Sequence, residues 1–272
     1  MFYWIYDVPT PQLAVFIAGI FVVCFWIGSF LIRPILRTVV RSRSGTNDIV
    51  GYILSCFGVF YGLLLGLIAV AAYQNLNKAE ENASREAVAL TALYQDLSAY
   101  ADPLRQTLRK DLRDYCAYVV DTAWPLQRKG VIPEDGRKKI LAFRSTLLSF
   151  NPQSMGHVIF HTETLREFDN YYEARRMRLH DVRSGIPAVM WYVVIVGAVI
   201  NLAIIWMFDM RIITQLILGG MLAFFMGTMI FLIAAMDNPH RGEVSVSSDA
   251  FEEACQVMNS EDGARSLRSP GG

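Results

Sequence analysis

His157 and His161 stand four residues apart with Glu163 close by, so on a helix the two imidazoles share a face. That spacing suits a metal ion, or a histidine pair that titrates near neutral pH as a switch. The HExxH arrangement is absent and no cysteine is near, so histidines at a surface or interface are the reading the residues favour. No GxSxG elbow, Walker A loop or GxGxxG turn after a strand occurs, which points away from an enzyme and calls for no cofactor or metal. Arg109, Lys110 and Arg113 alternate with Asp111 and Asp114 and read as a solvated helix face. With a formal net charge of +0 over the chain, a nucleic-acid partner is not indicated.

A second pattern concerns close approach. Gly51, Ser55, Gly58, Gly62, Gly66 and Ala69 recur every three or four residues, and Gly58, Gly62 and Gly66 make a tandem GxxxG. Without a Cβ, helix backbones can come together where the hydrophobic effect does not drive them, as in lipid. The strip suits packing against another span of the same subunit. It equally suits packing around the axis of a homo-oligomer, with the uncharged amides of Gln74, Asn75 and Asn77 at a pore mouth.

These residues lie in a chain with four apolar stretches, Leu13–Ile32, Ile49–Ala72, Ile186–Phe208 and Ile212–Met236. Each is long enough, as a helix, to cross the ~30 Å hydrocarbon core of a bilayer. The first lacks a basic leading segment and a small-x-small cleavage site and is expected to be a retained helix. Asp209 and Asp237 sit at span ends, and ionisable residues at mid-span, which a proton-driven transporter needs, are nearly absent. The expectation is an all-α integral membrane protein, in a bacterial inner membrane, that contacts the lipid bilayer and ions.

The loop after the first span carries Arg33, Arg37, Arg41 and Arg43 against Asp48, which places that loop in the cytoplasm and the polar block outside. Lys78, Arg85, Arg175, Arg176, Arg178 and Arg183 oppose this, but long domains count less in the rule. Cys24 and Cys56 fall within spans, Cys116 and Cys255 in polar regions. With no CxxC pair and no disulfide framework in view, all four are expected to be small buried hydrophobes.

The sequence divides into a first helix pair (1–74), a helical polar domain (75–185), a second helix pair (186–236), a C-terminal turn and helix (237–258) and a disordered tail (259–272). Leu76, Ala79, Ala83, Ala87, Leu90, Tyr94 and Leu97 continue a helical period beyond the second span, so one helix is expected from about Ile49 to Tyr100. At ~1.5 Å per residue it would be about 75 Å long. Asp102 and Pro103 should cap and open the next helix, which runs to about Ala123. Further helices are expected over about 134–150 and 153–184. Asp237, Asn238 and Pro239 stop the fourth span, and the turn they begin either is purely structural or docks the C-terminal helix and couples it to the spans.

Asn47-Asp48-Ile49-Val50-Gly51, Gly58-Val59-Phe60-Tyr61-Gly62, Arg85-Glu86-Ala87, Trp124-Pro125 and the run from Asp237-Asn238-Pro239 to Gly242-Glu243 resemble the bestrophin-like family of bacterial membrane proteins, over about residues 1–258. The resemblance implies four spans with a helical domain between the second and third. Through more distant similarity to bestrophins it implies a ring-shaped, pentameric ion channel, anion-conducting, with a pore lined by the second span. Phe57, Phe60 and Tyr61 are the candidates for its narrow aromatic set. Where animal bestrophins carry a calcium-binding run of acids, this chain has Val244, Ser245 and Val246, so calcium gating does not transfer. Bestrophins also turn their domain inward, against the charge count above. The alternative to a channel is a non-conducting scaffold or sensor whose helical domain binds a partner.

Overall fold

The computed structural model describes residues 6, 8–35 and 45–266, with side chains to residue 262. Arg37, Arg41 and Arg43 of the basic loop lie outside the described residues, as do residues 267–272. The longer helices of the described chain are α1 Thr10–Leu31, α2 Thr46–Asp96, α3 Leu104–Tyr118, α4 Asp135–Leu148, α5 Met155–Asp181, α6 Ala188–Trp206, α7 Ile212–Met236 and α8 Asp249–Ser266. Among the described residues there is no strand. Helices α1, α6 and α7 and the first part of α2 are long and apolar enough to cross a membrane. The chain forms two compact units: residues 1–75, 185–238 and 242–244 in one, and residues 76–184, 239–241 and 245–272 in the other.

In the first unit, glycines bring helices together, but not those of the α2 strip. A Cβ on Gly219 would lie 2.0 Å from the Phe25 ring, one on Gly28 2.0 Å from the Trp206 indole, and one on Gly197 2.5 Å from the Tyr61 ring. Phe25 and Trp206 stack at 6.0 Å, and the Trp206 indole N–H donates to the Phe25 carbonyl at 3.2 Å. A Cβ on Gly227 would lie 2.7 Å from the Cα of Ala18, which is backbone and cannot swing aside. Gly227→Leu is therefore expected to destabilise the α1–α7 pair by ~3 kcal/mol or more, the upper range for overpacking. Thermal unfolding of the detergent-solubilised chain checks this.

The second unit has a single apolar core. Ala79, Ala83, Ala87, Leu90, Leu93, Tyr94 and Leu97 of α2 and its terminal 3-10 turn pack on Leu108, Leu112 and Tyr115 of α3. Phe143 and Leu147 of α4, Phe168 and Tyr171 of α5, and Phe251 and Met258 of α8 complete it. The 3.6-residue period that predicted the extension of α2 is thus the face it buries. Asp102 does not cap α3: no side chain caps that helix, and the Asp102 carboxylate accepts from Arg105 Nε at 3.2 Å instead. A π-helical turn, Val119–Ala123, follows α3 and leads into Trp124, whose indole N–H donates to the Val246 carbonyl at 3.3 Å.

Three expectations for this unit change. Cys116 and Cys255 are joined in a disulfide rather than being two separate apolar fillers, while Cys24 and Cys56 are exposed in the single chain. Arg109 is not a solvated cation but buried, its guanidinium bound to Asp262 at 3.0 Å and to Ser98 Oγ at 2.7 Å. The segment expected to be disordered from residue 259 is helical to Ser266, because Glu261 and Asp262 find partners in Gln95, Arg109 and Arg113.

Candidate functional site

The glycines of the small-residue strip lie on an uncovered face of α2, while its last member, Ala69, is half-buried against the core of the first unit. A Cβ added to Gly58, Gly62 or Gly66 would meet nothing within 4 Å, and one on Gly51 would only touch the Phe208 ring at 4.0 Å. Ser55 is exposed, its hydroxyl donating back to the Gly51 carbonyl at 2.8 Å. The face α2 buries in its own unit carries Val50, Tyr61, Leu65, Ile68 and Ala72. Only 17% of the α2 apolar stretch is buried in the single chain, against 28–39% for the other three spans. Packing of the tandem GxxxG against another span of the same subunit therefore does not occur among the described residues.

Along the same helix, Gln74, Asn75 and Asn77 are exposed. Of the three aromatic candidates, Phe57 and Phe60 are exposed, whereas Tyr61 is buried and donates to the Val194 carbonyl at 3.0 Å. Tyr61 is thus a packing residue of the α2–α6 contact. Asn47 clamps the start of α2: its amide N–H donates to the Asp209 carbonyl at 2.9 Å and its amide oxygen accepts from the Asp209 N–H at 2.8 Å.

The turn after α7 has residues in each unit, and each is held within its own. In the first unit, the buried Asp237 carboxylate accepts from the Ile186 N–H at 2.5 Å and the Trp191 indole at 3.2 Å. Burial pushes this acid above the usual carboxylate range and the two donors hold it partly back. Asn238 donates to the Tyr6 hydroxyl at 2.6 Å. Glu243 accepts from the Thr10 N–H at 2.9 Å, an anion at the positive end of α1, which lowers its pKa. In the second unit, the Pro239 carbonyl accepts from the Val246 N–H at 2.8 Å and Arg241 donates to the Lys129 carbonyl at 3.0 Å.

His240, in the same turn, is 1% exposed, and neither ring nitrogen has a hydrogen-bond partner among the described residues. Its ring lies 5.7 Å from that of Trp124. Burial, with a smaller contribution from Arg178, pushes its pKa from 6.5 down to about 4. The folded unit holds this imidazole neutral, so its contribution to stability is whole above pH 6.5 and is lost as pH falls from there toward 4. The loss is expected to reach ~3 kcal/mol. Urea or thermal unfolding against pH shows it as a slope that His240→Phe removes.

Sequence spacing gave no sign of the buried ionic centre of the second unit. Arg178 Nε donates to Glu86 Oε2 at 2.5 Å, with the two side chains 1% and 0% exposed. The same guanidinium donates to Gln127 and lies 5.1 Å from the ring centres of both Trp124 and Phe251. The Tyr115 hydroxyl donates to Glu86 Oε1 at 3.2 Å and accepts from Arg175 Nε at 3.0 Å. Arg175 and Arg178, counted above only as loop charges, are structural. The histidine pair is divided as well. His161 Nδ1 is 2.7 Å from the Tyr100 hydroxyl in a buried contact, while His157 packs edge-on against Phe160 and takes a 3.3 Å bond from the Gln153 N–H. Glu163 pairs with Arg166.

A family model described as a Bestrophin-like domain matches residues 19–251. The chain belongs to the bestrophin-like family. This is a family of channel-like membrane proteins rather than of enzymes. A search of the curated proteins finds no match. Among solved structures, the fold resembles a bacterial bestrophin homologue from Klebsiella pneumoniae carrying a single substitution, at 12% identity and a TM-score of 0.61, covering 90% of this chain and 98% of that one. It also resembles the Klebsiella pneumoniae homologue phased on zinc, at 12% identity and a TM-score of 0.60, covering 90% of this chain and 95% of that one. At these identities the likeness is one of fold.

Proposed function

We propose that this bestrophin-like protein is a homo-oligomeric ion channel in which α2, from Gly51 to about Asn77, lines or approaches the symmetry axis. The observation that carries the reading is the vacant space beside Gly58, Gly62 and Gly66 on the least covered of the four spans. An apolar helix face free of bulk is useful where copies of that helix converge, because small residues let backbones approach and leave a narrow path between them. Gln74 and Asn75 then stand at one mouth as neutral amides that can replace part of an ion's hydration shell. Five subunits and anion selectivity follow the resemblance to bestrophins. The Asp237–Asn238–Pro239 turn, where the chain passes from one unit into the other, is the coupling element.

The chain sits in the bacterial inner membrane, with its helical unit on the outer side as the short-loop arginines direct. Labelling Ser42→Cys and Arg144→Cys with a membrane-impermeant maleimide on intact cells checks the side: reaction at 144 alone is expected. The assembly itself is tested by mass measurement and averaged imaging of the detergent-solubilised protein. A closed ring with the Gly58–Gly66 face turned to a continuous hydrated axis is expected. A monomer, or a dimer that buries this face completely, contradicts the proposal.

A further inference from the structure

The Cys116–Cys255 bond ties together residues separated by 139 positions, and the third and fourth spans lie between them. It is set by helix register. Arg109 and Cys116 are seven residues apart on α3, Cys255 and Asp262 seven apart on α8, and Arg109 pairs with Asp262 just as Cys116 pairs with Cys255. Two antiparallel helices in that register meet every two turns, or ~10.5 Å. Phe251 and Met258, four residues before and three after Cys255, are both fully buried, and the Tyr94 hydroxyl donates to the Met258 carbonyl at 3.1 Å. Docking α8 therefore delivers Cys255 to Cys116 without any contribution from the bond itself. Of the two sulfurs, Cys116 belongs to a residue with 0% exposure and Cys255 to one that is partly exposed.

From this we infer that the helical unit matures by an oxidation step, and that Cys255 and Cys116 are substrates of a protein disulfide, the reactive group of a thiol-oxidising partner. The order follows from exposure. The Cys255 thiolate attacks the partner's disulfide, forms a mixed disulfide and releases one partner thiolate. As α8 docks, the Cys116 thiolate attacks the Cys255 sulfur, the intramolecular bond forms, and the second partner thiolate leaves. The chain loses two electrons and two protons, and the partner's disulfide becomes a dithiol. Because Cys255 follows the last of the four spans, the step closes only after all four have been made. Buried Cys116 is a poor target for thiols once the bond has closed, so the clasp is structural and lasting. Such a step belongs to an oxidising compartment; it rests on the outward orientation proposed above.

The test uses the full chain in membranes, in a Cys24→Ser/Cys56→Ser background, with thiols trapped by acid, the protein denatured and a polyethylene-glycol maleimide added. No gel shift is expected before reduction, and a shift of two adducts after it. Growth with dithiothreitol, a permeant dithiol, is expected to give the two-adduct chain directly. Two adducts without any reductant would overturn the inference. Impermeant labelling of Arg144→Cys separates the two claims. An outward label with free thiols overturns the oxidation step alone. A label gained only after lysis, with the bond present, overturns the orientation and with it the outer-compartment partner.

Discussion

Replacing Arg178 with alanine is expected to destabilise the helical unit by ~3–5 kcal/mol, the range found when one partner of a buried ion pair is removed. Arg178 and Glu86 are both fully buried, so the truncation leaves the Glu86 carboxylate in the core with the Tyr115 hydroxyl as its remaining donor. It also removes the cation that lies against the rings of both Trp124 and Phe251 and leaves Gln127 Oε1 without its donor. Four segments lose a shared contact at once: α2, the stretch after α3, α5 and α8. Glu86→Gln keeps the shape and the acceptor and is expected to cost less than Arg178→Ala. A double change of both residues to apolar ones of similar volume should recover most of the loss, because no charge is then stranded. Circular dichroism melts of the full chain measure all three. Equal stability of Arg178→Ala and the native chain would show that the pair contributes nothing.

Gly62→Leu is expected to leave the subunit folded and to abolish its current. A side chain at position 62 meets nothing within 4 Å in the single chain, so the leucine imposes no clash there. If copies of α2 converge, each subunit adds an isobutyl group to the same level of the axis, and the passage between them closes or the copies are pushed apart. The contrast with Gly227→Leu separates the two roles of glycine in this chain. Position 227 faces the Ala18 backbone and should report as lost stability; position 62 should report as lost conductance with stability retained.

Much of the architecture was legible in the sequence because it is written in local period and local hydropathy. The four spans follow from length and charge alone, and the continuation of α2 into the polar unit follows from Ala79, Ala83, Ala87, Leu90 and Tyr94. Turn residues also marked the ends of α4 and α5 to within a few positions, whereas Trp124 and Pro125, expected to close the helix before them, lie in a further helical turn, Trp124–Gln127, that follows the π turn. What escaped has no local signature. Cys116 and Cys255 are single cysteines far apart in the chain, and only the antiparallel register of α3 and α8 pairs them. Arg109 sits in a run of mixed charge like any solvated face, Arg175 and Arg178 sit in a basic run, and the burial of all three depends on helices contributed from elsewhere. The tandem GxxxG was visible, but its meaning was not, since a small residue permits close approach without saying to what. Of the glycines that make the close contacts within the subunit, Gly28 and Gly197 have no glycine three or four residues away, while Gly219 and Gly227 share a four-residue spacing with buried Ala223 that went unread beside the longer strip of α2.

The central claim, that α2 borders an ion path in an oligomer, is tested most directly by current through planar bilayers containing the purified oligomer. Discrete, voltage-driven ionic currents are expected from the native chain, and their loss in Gly62→Leu at equal oligomer content. Silence of the native oligomer in every salt tried, or currents unchanged by Gly62→Leu, would contradict it.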